Sequence, residues 1–550
     1  MTTDAPDTLV ALLDWRADDD TTGLLVDDGE WSWREVVAES GRWAAALAEL
    51  RPADGPFHVG ALLGNVPEYL FLLFGAARAG AVLVGINDSR RGEELARDVR
   101  HTDCVAVLTD ATHAPLLAGL DLGDTAVIEI GSPRWQQRLA EAMPVEPPEI
   151  GPTDVLLLIF TSGSTGAPKA VQLSHGRAAR IANAASWIAA DDVLYCAMPL
   201  FHGNALNAVV FPAAASGATI ALRERFSASQ FMPDIRRYGA TFFSTVGRAL
   251  AYILATPESP EDREHRVKFA LAPESSPRDM RAFKDRFGIL CVAGYGSSEN
   301  VIIMEPRPGL PKDALGFPQA GVDAAVVDPE TGVERARARF DASGRLVNGA
   351  DAIGEIVGRN VVERFEGYYR NPEAEAERTR NGWYWSGDLG YVDETGVFYF
   401  AGRAGEWLRV DSENFATAPV ERIVGRFPGA NGVAVYPVPD ERTADDQIML
   451  ALELDAGAAF DPDAFGRFLA EQPDLGTKWS PRYVRVTTLP VGATNKIDKR
   501  PLRAERWYTA DPVYWRPGPE PAYRRFTADD LAALETRFRE FGRPDAIGRP

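Results

Sequence analysis

The stretch most suited to chemistry is the loop Thr161-Ser-Gly-Ser-Thr-Gly-Ala-Pro-Lys169. Gly163 and Gly166 allow its backbone to turn tightly and to approach a ligand. Exposed backbone N–H groups, several hydroxyls and one ammonium group suit the oxygens of a polyphosphate. These polar side chains belong to Thr161, Ser162, Ser164, Thr165 and Lys169. The loop has no Gly-Lys-Ser/Thr triplet, so it predicts a phosphate site of a different type from the Walker motif.

An apolar run at 155–160 precedes this loop and predicts a buried parallel strand. A flexible Gly/Ser linker is the alternative interpretation of the loop. It is disfavoured, because linkers seldom lie directly between a core strand and an apolar continuation such as Lys169-Ala-Val-Gln-Leu173.

A second polar turn, Gly294-Tyr-Gly-Ser-Ser-Glu299, follows a predicted strand at 289–293. Open α/β sheets bind ligands in loops at the carboxyl ends of their strands. Taken alone, the turn is equally compatible with a surface turn that carries an ordinary glutamate. Beside the loop at 161–169 it indicates a binding site.

The loop at 161–169 resembles the phosphate-binding signature of the adenylate-forming superfamily, which includes acyl-CoA synthetases, peptide-synthetase adenylation domains and luciferases. The turn at 294–299 resembles the Tyr-Gly-x-Thr-Glu motif of that superfamily. The resemblance implies that Tyr295 stacks on adenine, Ser298 contacts the α-phosphate and Glu299 holds Mg²⁺. One carboxylate together with phosphate oxygens is an ordinary magnesium site.

Three further motifs resemble the same superfamily. Trp385-Ser-Gly-Asp388 implies that Asp388 accepts hydrogen bonds from both ribose hydroxyls, a role that the several lone pairs of a carboxylate allow. Gly402-Arg403 implies an arginine that meets ribose or phosphate at a domain junction. Ala493-Thr-Asn-Lys496 implies that Lys496 is the adenylation lysine, although Asn495 stands where the superfamily usually has Gly.

Two more residues take their roles from the resemblance. His202, in Pro199-Leu-Phe-His-Gly203, matches a motif at the mouth of the acid pocket. Gly405 lies at the position of the superfamily's hinge, and glycine can adopt the backbone angles that a large rotation requires. Segments near 85–104, 328–355 and 405–417 resemble the branch that contains fatty-acid transport proteins and very-long-chain acyl-CoA synthetases.

Strand-like runs alternate with helical patterns over most of the chain, which predicts an α/β fold with largely parallel sheets. We expect a large N-terminal domain of several subdomains at 1–402, a small mobile α+β domain at 403–510 and a C-terminal tail at 511–550. Three local predictions accompany this division. Ser32 and Glu35 form a capping box, Ser174 caps a helix that runs through Ile188, and the Pro- and Glu-rich stretch 132–153 is a surface connection.

The net charge of −21 over 550 residues argues against nucleic acid as a partner, since nucleic-acid binding needs a basic surface. The three cysteines, Cys104, Cys196 and Cys291, are far apart and predict reduced core residues. The most apolar stretch, 69–86, contains Arg78 and three glycines, so it predicts a buried helix and strand rather than a membrane span. With no signal peptide visible, these features predict a cytoplasmic protein. Peripheral membrane contact and the oligomeric state remain open.

The leading hypothesis is an ATP-dependent acid–CoA ligase that uses ATP, Mg²⁺ and CoA. It would convert a fatty or sterol side-chain carboxylic acid to acyl-CoA through an acyl-AMP intermediate, with release of AMP and pyrophosphate. One alternative is an acyl-AMP ligase that loads a carrier protein, and another is a lipid-binding or uptake protein with degenerate catalysis. Amino-acid activation is disfavoured, because His202 is a poor partner for a substrate ammonium group.

Overall fold

The structure of the chain is a computed structural model. It describes residues 5–143, 147–161, 169–246, 249–273, 275, 277–307, 309–311, 314–342, 344, 346–403, 407–410, 413–442, 446–472, 475, 479–492, 496–518, 520 and 522–548. The chain divides into two compact units. The first unit comprises Met1–Ile303 and Glu363–Glu377, and the second comprises Met304–Val362 and Arg378–Pro550.

The α-helices are numbered in chain order: α1 Leu9–Asp14, α2 Trp33–Ala48, α3 Pro67–Ala79, α4 Gly92–His101, α5 Pro133–Glu141, α6 His175–Ala184, α7 Gly203–Ala205, α8 Phe211–Ser216, α9 Ala228–Arg237, α10 Ala249–Leu254, α11 Pro277–Phe287, α12 Gly349–Ala352, α13 Pro372–Arg378, α14 Thr417–Val424, α15 Pro462–Ala470, α16 Lys499–Glu505 and α17 Ala528–Glu540.

The strands follow the same convention: β1 Thr22–Val26, β2 Gly29–Ser32, β3 His58–Leu62, β4 Val82–Gly85, β5 Cys104–Thr109, β6 Ala126–Glu129, β7 Val155–Thr161, β8 Lys169–Ser174, β9 Val193–Cys196, β10 Thr219–Leu222, β11 Phe242–Ser244, β12 Phe269–Leu271, β13 Cys291–Val292, β14 Met304–Glu305, β15 Ala314–Pro318, β16 Ala324–Val327, β17 Gly354–Gly358, β18 Tyr384–Val392, β19 Phe398–Arg403, β20 Trp407–Val410, β21 Glu413–Ala416, β22 Ala430–Pro439, β23 Asp446–Leu454, β24 Tyr483–Val486, β25 Val513–Trp515 and β26 Arg524–Arg525.

The first unit contains two α/β sheets. One has the order β6-β5-β3-β4-β7-β8, and the other has the order β13-β12-β11-β9-β10-β1-β2. Pairing is parallel except at β7–β8 and β1–β2. Parallel sheets are covered by helices on their faces, and their strands are accordingly apolar and buried. The described cysteines of this unit are buried and form no disulfide, as the sequence predicts.

The second unit is richer in antiparallel pairs. One sheet has the order β14-β15-β19-β18-β17-β16, and a second has the order β22-β23-β24-β25-β26. Strands β20 and β21 form a separate hairpin. Residues from the predicted tail take part in this unit, because β25 and β26 extend the second sheet and α17 buries Leu534 and Phe538.

Two local predictions about helix starts are confirmed, and one prediction about a helix end is wrong. Ser32 and Glu35 form the predicted capping box, and Ser174 caps α6. The prediction that α6 continues to Ile188 is wrong, because the helix ends at Ala184 and Trp187 packs on Phe242 and Phe269.

The prediction of a surface connection over 132–153 is also wrong in part, because helix α5 occupies Pro133–Glu141. Ser132 caps α5, Pro133 occupies its first turn, and Trp135 is buried against Trp43. Among the described residues, no helix is both long enough and apolar enough to cross a membrane.

Candidate active site

The two ends of the predicted phosphate loop are adjacent in the structure. Thr161 closes β7, Lys169 opens β8, and the two residues are cross-strand partners. The antiparallel pair therefore holds the base of the loop at the carboxyl end of a buried strand. Ser162, Gly163, Ser164, Thr165 and Gly166 lie outside the described residues.

Lys169 and Glu299 are far apart in sequence, but both contact the same tyrosine in the first unit. The hydroxyl of Tyr368 donates a hydrogen bond to Glu299 Oε1 at 2.5 Å. Lys169 Nζ lies 5.8 Å from the centroid of the Tyr368 ring and 3.4 Å from Glu377 Oε2. An ammonium group at this distance from an aromatic ring makes a cation–π contact. The structure thus brings the end of the phosphate loop and the proposed magnesium ligand together.

Arg177 also contacts the turn that carries Glu299. Its guanidinium donates to the backbone carbonyl of Glu299 and lies 2.8 Å from Glu366 Oε2. Burial lowers the pKa of Arg177, and the neighbouring Glu366 carboxylate opposes that effect. The backbone of Glu299 is therefore fixed by a buried arginine whose own charge is balanced.

The turn that carries Tyr295 and Ser298 follows β13 at its carboxyl end. Strands β9, β11, β12 and β13 are parallel, so their carboxyl ends lie along one edge of the sheet. Ligands bind at this edge in open α/β sheets. Tyr295 and Ser298 are both partly exposed, and Glu299 is 6% exposed.

His202 lies in the segment that follows β9, whose carboxyl end is at the same edge of the sheet. Its Nδ1 accepts the backbone N–H of Asn204 at 3.1 Å, so the proton of the neutral ring lies on Nε2. The side chain of Asn204 in turn accepts from Ser244 Oγ at 2.7 Å, at the carboxyl end of β11.

Glycines bring the His202 segment close to β4 and β7. A Cβ placed on Gly85, the last residue of β4, would lie 3.1 Å from the carbonyl oxygen of Phe201. A Cβ on Gly203 would lie 3.7 Å from Ile159 Cδ1, two residues before Thr161. The predicted acid-pocket histidine and the phosphate loop therefore belong to one neighbourhood.

Asp388 and Arg403 lie on neighbouring strands of the second unit. They are cross-strand partners in the antiparallel pair β18–β19, and Asp388 is 8% exposed. The backbone N–H of Gly387 donates to Glu355 Oε1 at 2.8 Å. Burial raises the pKa of Glu355, and the nearby Asp388 carboxylate contributes in the same direction. Two acidic side chains thus lie close together at this bend of β18.

Lys496 lies just before α16. An antiparallel bridge joins Val491 to Ile497, and Gly492 N donates a hydrogen bond to Lys496 O at 2.8 Å. Lys499 anchors the start of α16, with Nζ 2.8 Å from Glu421 Oε1 and 3.2 Å from Thr417 Oγ1. Lys496 is partly exposed, and Gly405 lies outside the described residues.

The residues around Glu299 fit magnesium held mainly by phosphate oxygens. Within the described ranges, His, Cys, Asp and Glu residues form no group of three or more that could hold a metal ion. A single buried carboxylate oriented by a hydroxyl suits Mg²⁺, which keeps most of its ligands as water and phosphate oxygens.

A comparison with known protein families identifies the family of this chain. Residues 14–369 match the family described as AMP-binding enzyme. The chain belongs to the AMP-binding enzyme family. This confirms the predicted membership of the adenylate-forming superfamily, and the match covers the loop at 161–169, the turn at 294–299 and Tyr368.

Curated relatives in this family cover nearly the whole chain. A steroid-22-oyl-CoA synthetase of Rhodococcus jostii is 48% identical over 98% of this chain and 98% of its own length. A medium/long-chain-fatty-acid–CoA ligase of Mycobacterium tuberculosis is 43% identical over 90% of this chain and 96% of its own length. The protein is therefore an AMP-forming acyl-CoA synthetase, as the sequence analysis predicts.

Solved structures confirm the fold. ATP-bound MatB from Rhodopseudomonas palustris superimposes with a TM-score of 0.79 at 24% identity, covering 92% of this chain and 100% of that one. The anthranilate–CoA ligase AuaEII in complex with anthranoyl-AMP gives a TM-score of 0.77 at 22% identity, covering 92% of this chain and 98% of that one. At these identities the likeness supports the α/β fold class.

Sequence reasoning missed Tyr368 and Arg177, which organise the surroundings of Glu299. Tyr368 belongs to the run Gly367-Tyr-Tyr-Arg-Asn-Pro372, and its only local signal is a pair of aromatic residues before a turn. Arg177 is an ordinary helix residue by sequence. Their importance depends on contacts across 69 and 122 residues, respectively.

Proposed function

We propose that this acyl-CoA synthetase acts on a fatty acid or on the side-chain carboxylate of a steroid. The meeting of Lys169 and Glu299 on Tyr368 supports the ATP-dependent step of this proposal. ATP chemistry needs a cation for the phosphates and a carboxylate for magnesium in one place. The acid classes come from the names of the two relatives.

The proposed reaction has two steps. A carboxylate oxygen of the acid attacks the α-phosphorus of ATP, so a new O–P bond replaces the bond to pyrophosphate, which leaves. The sulfur of CoA then attacks the acyl carbonyl, so a C–S bond replaces the C–O bond to AMP and the thiol proton is released. Forming acyl-AMP first makes an unreactive carboxylate electrophilic.

Each site residue has a proposed role in this scheme. Lys169 and the loop at 161–166 hold the phosphates, Ser298 contacts the α-phosphate, and Tyr295 stacks on adenine. Glu299 would hold magnesium, which would neutralise phosphate charge when bound. In the second unit, Asp388 binds the ribose hydroxyls, Arg403 meets ribose or phosphate, and Lys496 stabilises the charge that develops during adenylation.

The proposed domain organisation links the two steps. The domain at 403–510 rotates relative to the domain at 1–402 about Gly405, and the predicted tail at 511–550 moves with it because β25 pairs with β24. Rotation removes Lys496 after adenylation and admits CoA. His202 gates the acid pocket. A cytoplasmic location is part of the proposal, because ATP and CoA are both available there.

A pyrophosphate-release screen tests the acid class. Straight-chain fatty acids, steroid side-chain acids, aromatic acids and amino acids are offered with ATP, with and without CoA. We expect release with fatty or steroid acids and thioester only when CoA is present. Preference for an aromatic or amino acid would overturn the acid class, and acyl-AMP formation without transfer to CoA would favour a carrier protein as acceptor.

The variant Glu299→Gln tests the metal role separately. It replaces a carboxylate ligand by a neutral amide of the same shape, so it should raise the magnesium concentration needed for half-maximal activity. Activity is measured against magnesium concentration at fixed ATP. An unchanged magnesium dependence would remove Glu299 as a ligand.

A further inference from the structure

Tyr368 reaches the site through a segment that returns to the first unit late in the chain. The segment Glu363–Glu377 belongs to that unit, although the residues before and after it belong to the second. Its backbone runs beside β8, with a bridge from Tyr368 to Val171 and a hydrogen bond from Tyr369 N to Ala170 O at 2.8 Å. Tyr368 is only 1% exposed, so its ring is held in one orientation by packing.

Two features of the proposed ATP site meet on this single side chain. The phenol hydroxyl binds Glu299 Oε1 at 2.5 Å, and the ring faces the ammonium group of Lys169. A carboxylate is planar, so fixing one oxygen by a hydrogen bond also sets the direction of the other. Groups that bind metal-ligating carboxylates orient those ligands, and their loss typically lowers metal affinity by about 10–100-fold.

We propose that Tyr368 is a positioning residue for the adenylation site. Its hydroxyl orients the carboxylate of Glu299 for magnesium, and its ring steadies Lys169 at the end of the phosphate loop. The inference deepens the proposed function and depends on Glu299 being the magnesium ligand.

The hydroxyl and the ring of Tyr368 can be tested separately, because other residues hold the backbone of Glu299. The backbone of Glu299 is already held by Arg177, which pairs with Glu366, while Glu366 Oε2 accepts the backbone N–H of Ser174 at 2.7 Å. Removal of the Tyr368 hydroxyl therefore leaves the backbone of the turn in place. Tyr368→Phe removes the hydrogen bond but retains the ring beside Lys169. Tyr368→Leu removes both contacts.

The neighbouring tyrosine supplies a matched control. The hydroxyl of Tyr369 donates to Asp103 Oδ2 at 2.8 Å, so Tyr369→Phe also removes one phenol–carboxylate hydrogen bond. That bond is made to a different carboxylate, and neither residue has a proposed role with ATP. An effect that follows from losing any phenol–carboxylate hydrogen bond in this segment would appear in both Phe variants.

The test measures ATP binding by isothermal titration calorimetry over a series of magnesium concentrations, together with KM and kcat. We expect Tyr368→Phe to raise the magnesium concentration for half-maximal ATP binding about tenfold. Tyr369→Phe should match the wild type. Tyr368→Leu should in addition weaken ATP binding at saturating magnesium. The titration stoichiometry reports the folded fraction, so a partly unfolded variant still yields a dissociation constant.

The outcomes distinguish a failure of the role of Tyr368 from a failure of the proposed magnesium site. If Tyr368→Phe binds ATP with the magnesium dependence of the wild type, while Glu299→Gln does not, the role of Tyr368 is overturned and Glu299 remains the ligand. Equal losses in Tyr368→Phe and Tyr369→Phe would also overturn it. If Glu299→Gln leaves the magnesium dependence unchanged, the failure lies in the proposed metal site itself.

Discussion

Asp388 and Arg403 are cross-strand partners in the antiparallel pair β18–β19, fifteen residues apart in the chain. The motifs around them were identified separately in the sequence, and the sheet places their backbones side by side. This pairing supports the proposal that both act on the same ribose and phosphate groups.

Asp388→Asn keeps the size of the side chain but removes its charge. Hydrogen bonds to charged groups contribute about 1.5–3 kcal/mol each, so we expect KM for ATP to rise by roughly one to two orders of magnitude. Steady-state kinetics with varied ATP measures the change. Asp323→Asn is the control, because Asp323 is exposed and pairs with Arg359. Equal KM values in the two variants would contradict a ribose role for Asp388.

Lys496→Ala should slow acyl-AMP formation by about two to three orders of magnitude, the scale of one electrostatic group in a transition state. Thioester formation from pre-made acyl-AMP should stay close to normal, because Lys496 is expected to leave the site before that step. Both half-reactions are measured separately, with Lys284→Ala on the exposed side of α11 as control. Equal losses in the two half-reactions would eliminate Lys496 as the adenylation lysine.

Gly405→Pro should block the proposed domain rotation, because proline fixes φ near about −65°. ATP–pyrophosphate exchange that depends on the acid should survive if the adenylation pose tolerates this angle, whereas thioester formation should collapse. Rotation must also break the hydrogen bonds from Arg422 to Tyr391 Oη at 3.0 Å and to Phe400 O at 3.1 Å. Gly405→Ala is the matched control. A wild-type rate of thioester formation in Gly405→Pro would show that the hinge lies elsewhere.

Asp98→Asn should change how the free energy of unfolding depends on pH. Burial raises the pKa of Asp98 from 3.8 to about 6, even though Arg90 Nε lies 3.4 Å away. Between these two values the folded state binds more protons than the unfolded state, so stability contributed by this group falls as pH rises. The loss is complete above pH 6 and amounts to about 3 kcal/mol at most.

Urea denaturation of both proteins at about pH 4 and pH 7 measures this difference. We expect the variant to gain stability relative to the wild type at the higher pH. The measured quantity is the difference in free energy of unfolding between the two proteins. Burial lowers the pKa of His175 to about 4, so in both proteins His175 contributes stability that rises with pH, and the subtraction removes this contribution. If the difference in free energy of unfolding between the two proteins does not change with pH, burial does not raise the pKa of Asp98.

Short-range signals in the sequence predicted part of the fold. A cap such as Ser32 with Glu35 acts within one helical turn, so its residue types alone specify the structure. The cap of α6 by Ser174 is equally local. The interpretation of 132–153 was wrong because it relied on the proline and glutamate content of the stretch. It overlooked the helix cap at Ser132, and the burial of Trp135 depends on tertiary packing.

The sequence by itself identified the family and predicted the phosphate loop and the candidate residues from Thr161 to Lys496, because those motifs are contiguous and their chemistry lies in their residue types. Only the tertiary structure revealed that Tyr368 binds Glu299 and contacts Lys169, and that Asp388 lies opposite Arg403. These relationships arise from strand pairing and packing between segments separated by up to about two hundred residues. No local pattern encodes such distances, because they depend on how the whole sheet assembles.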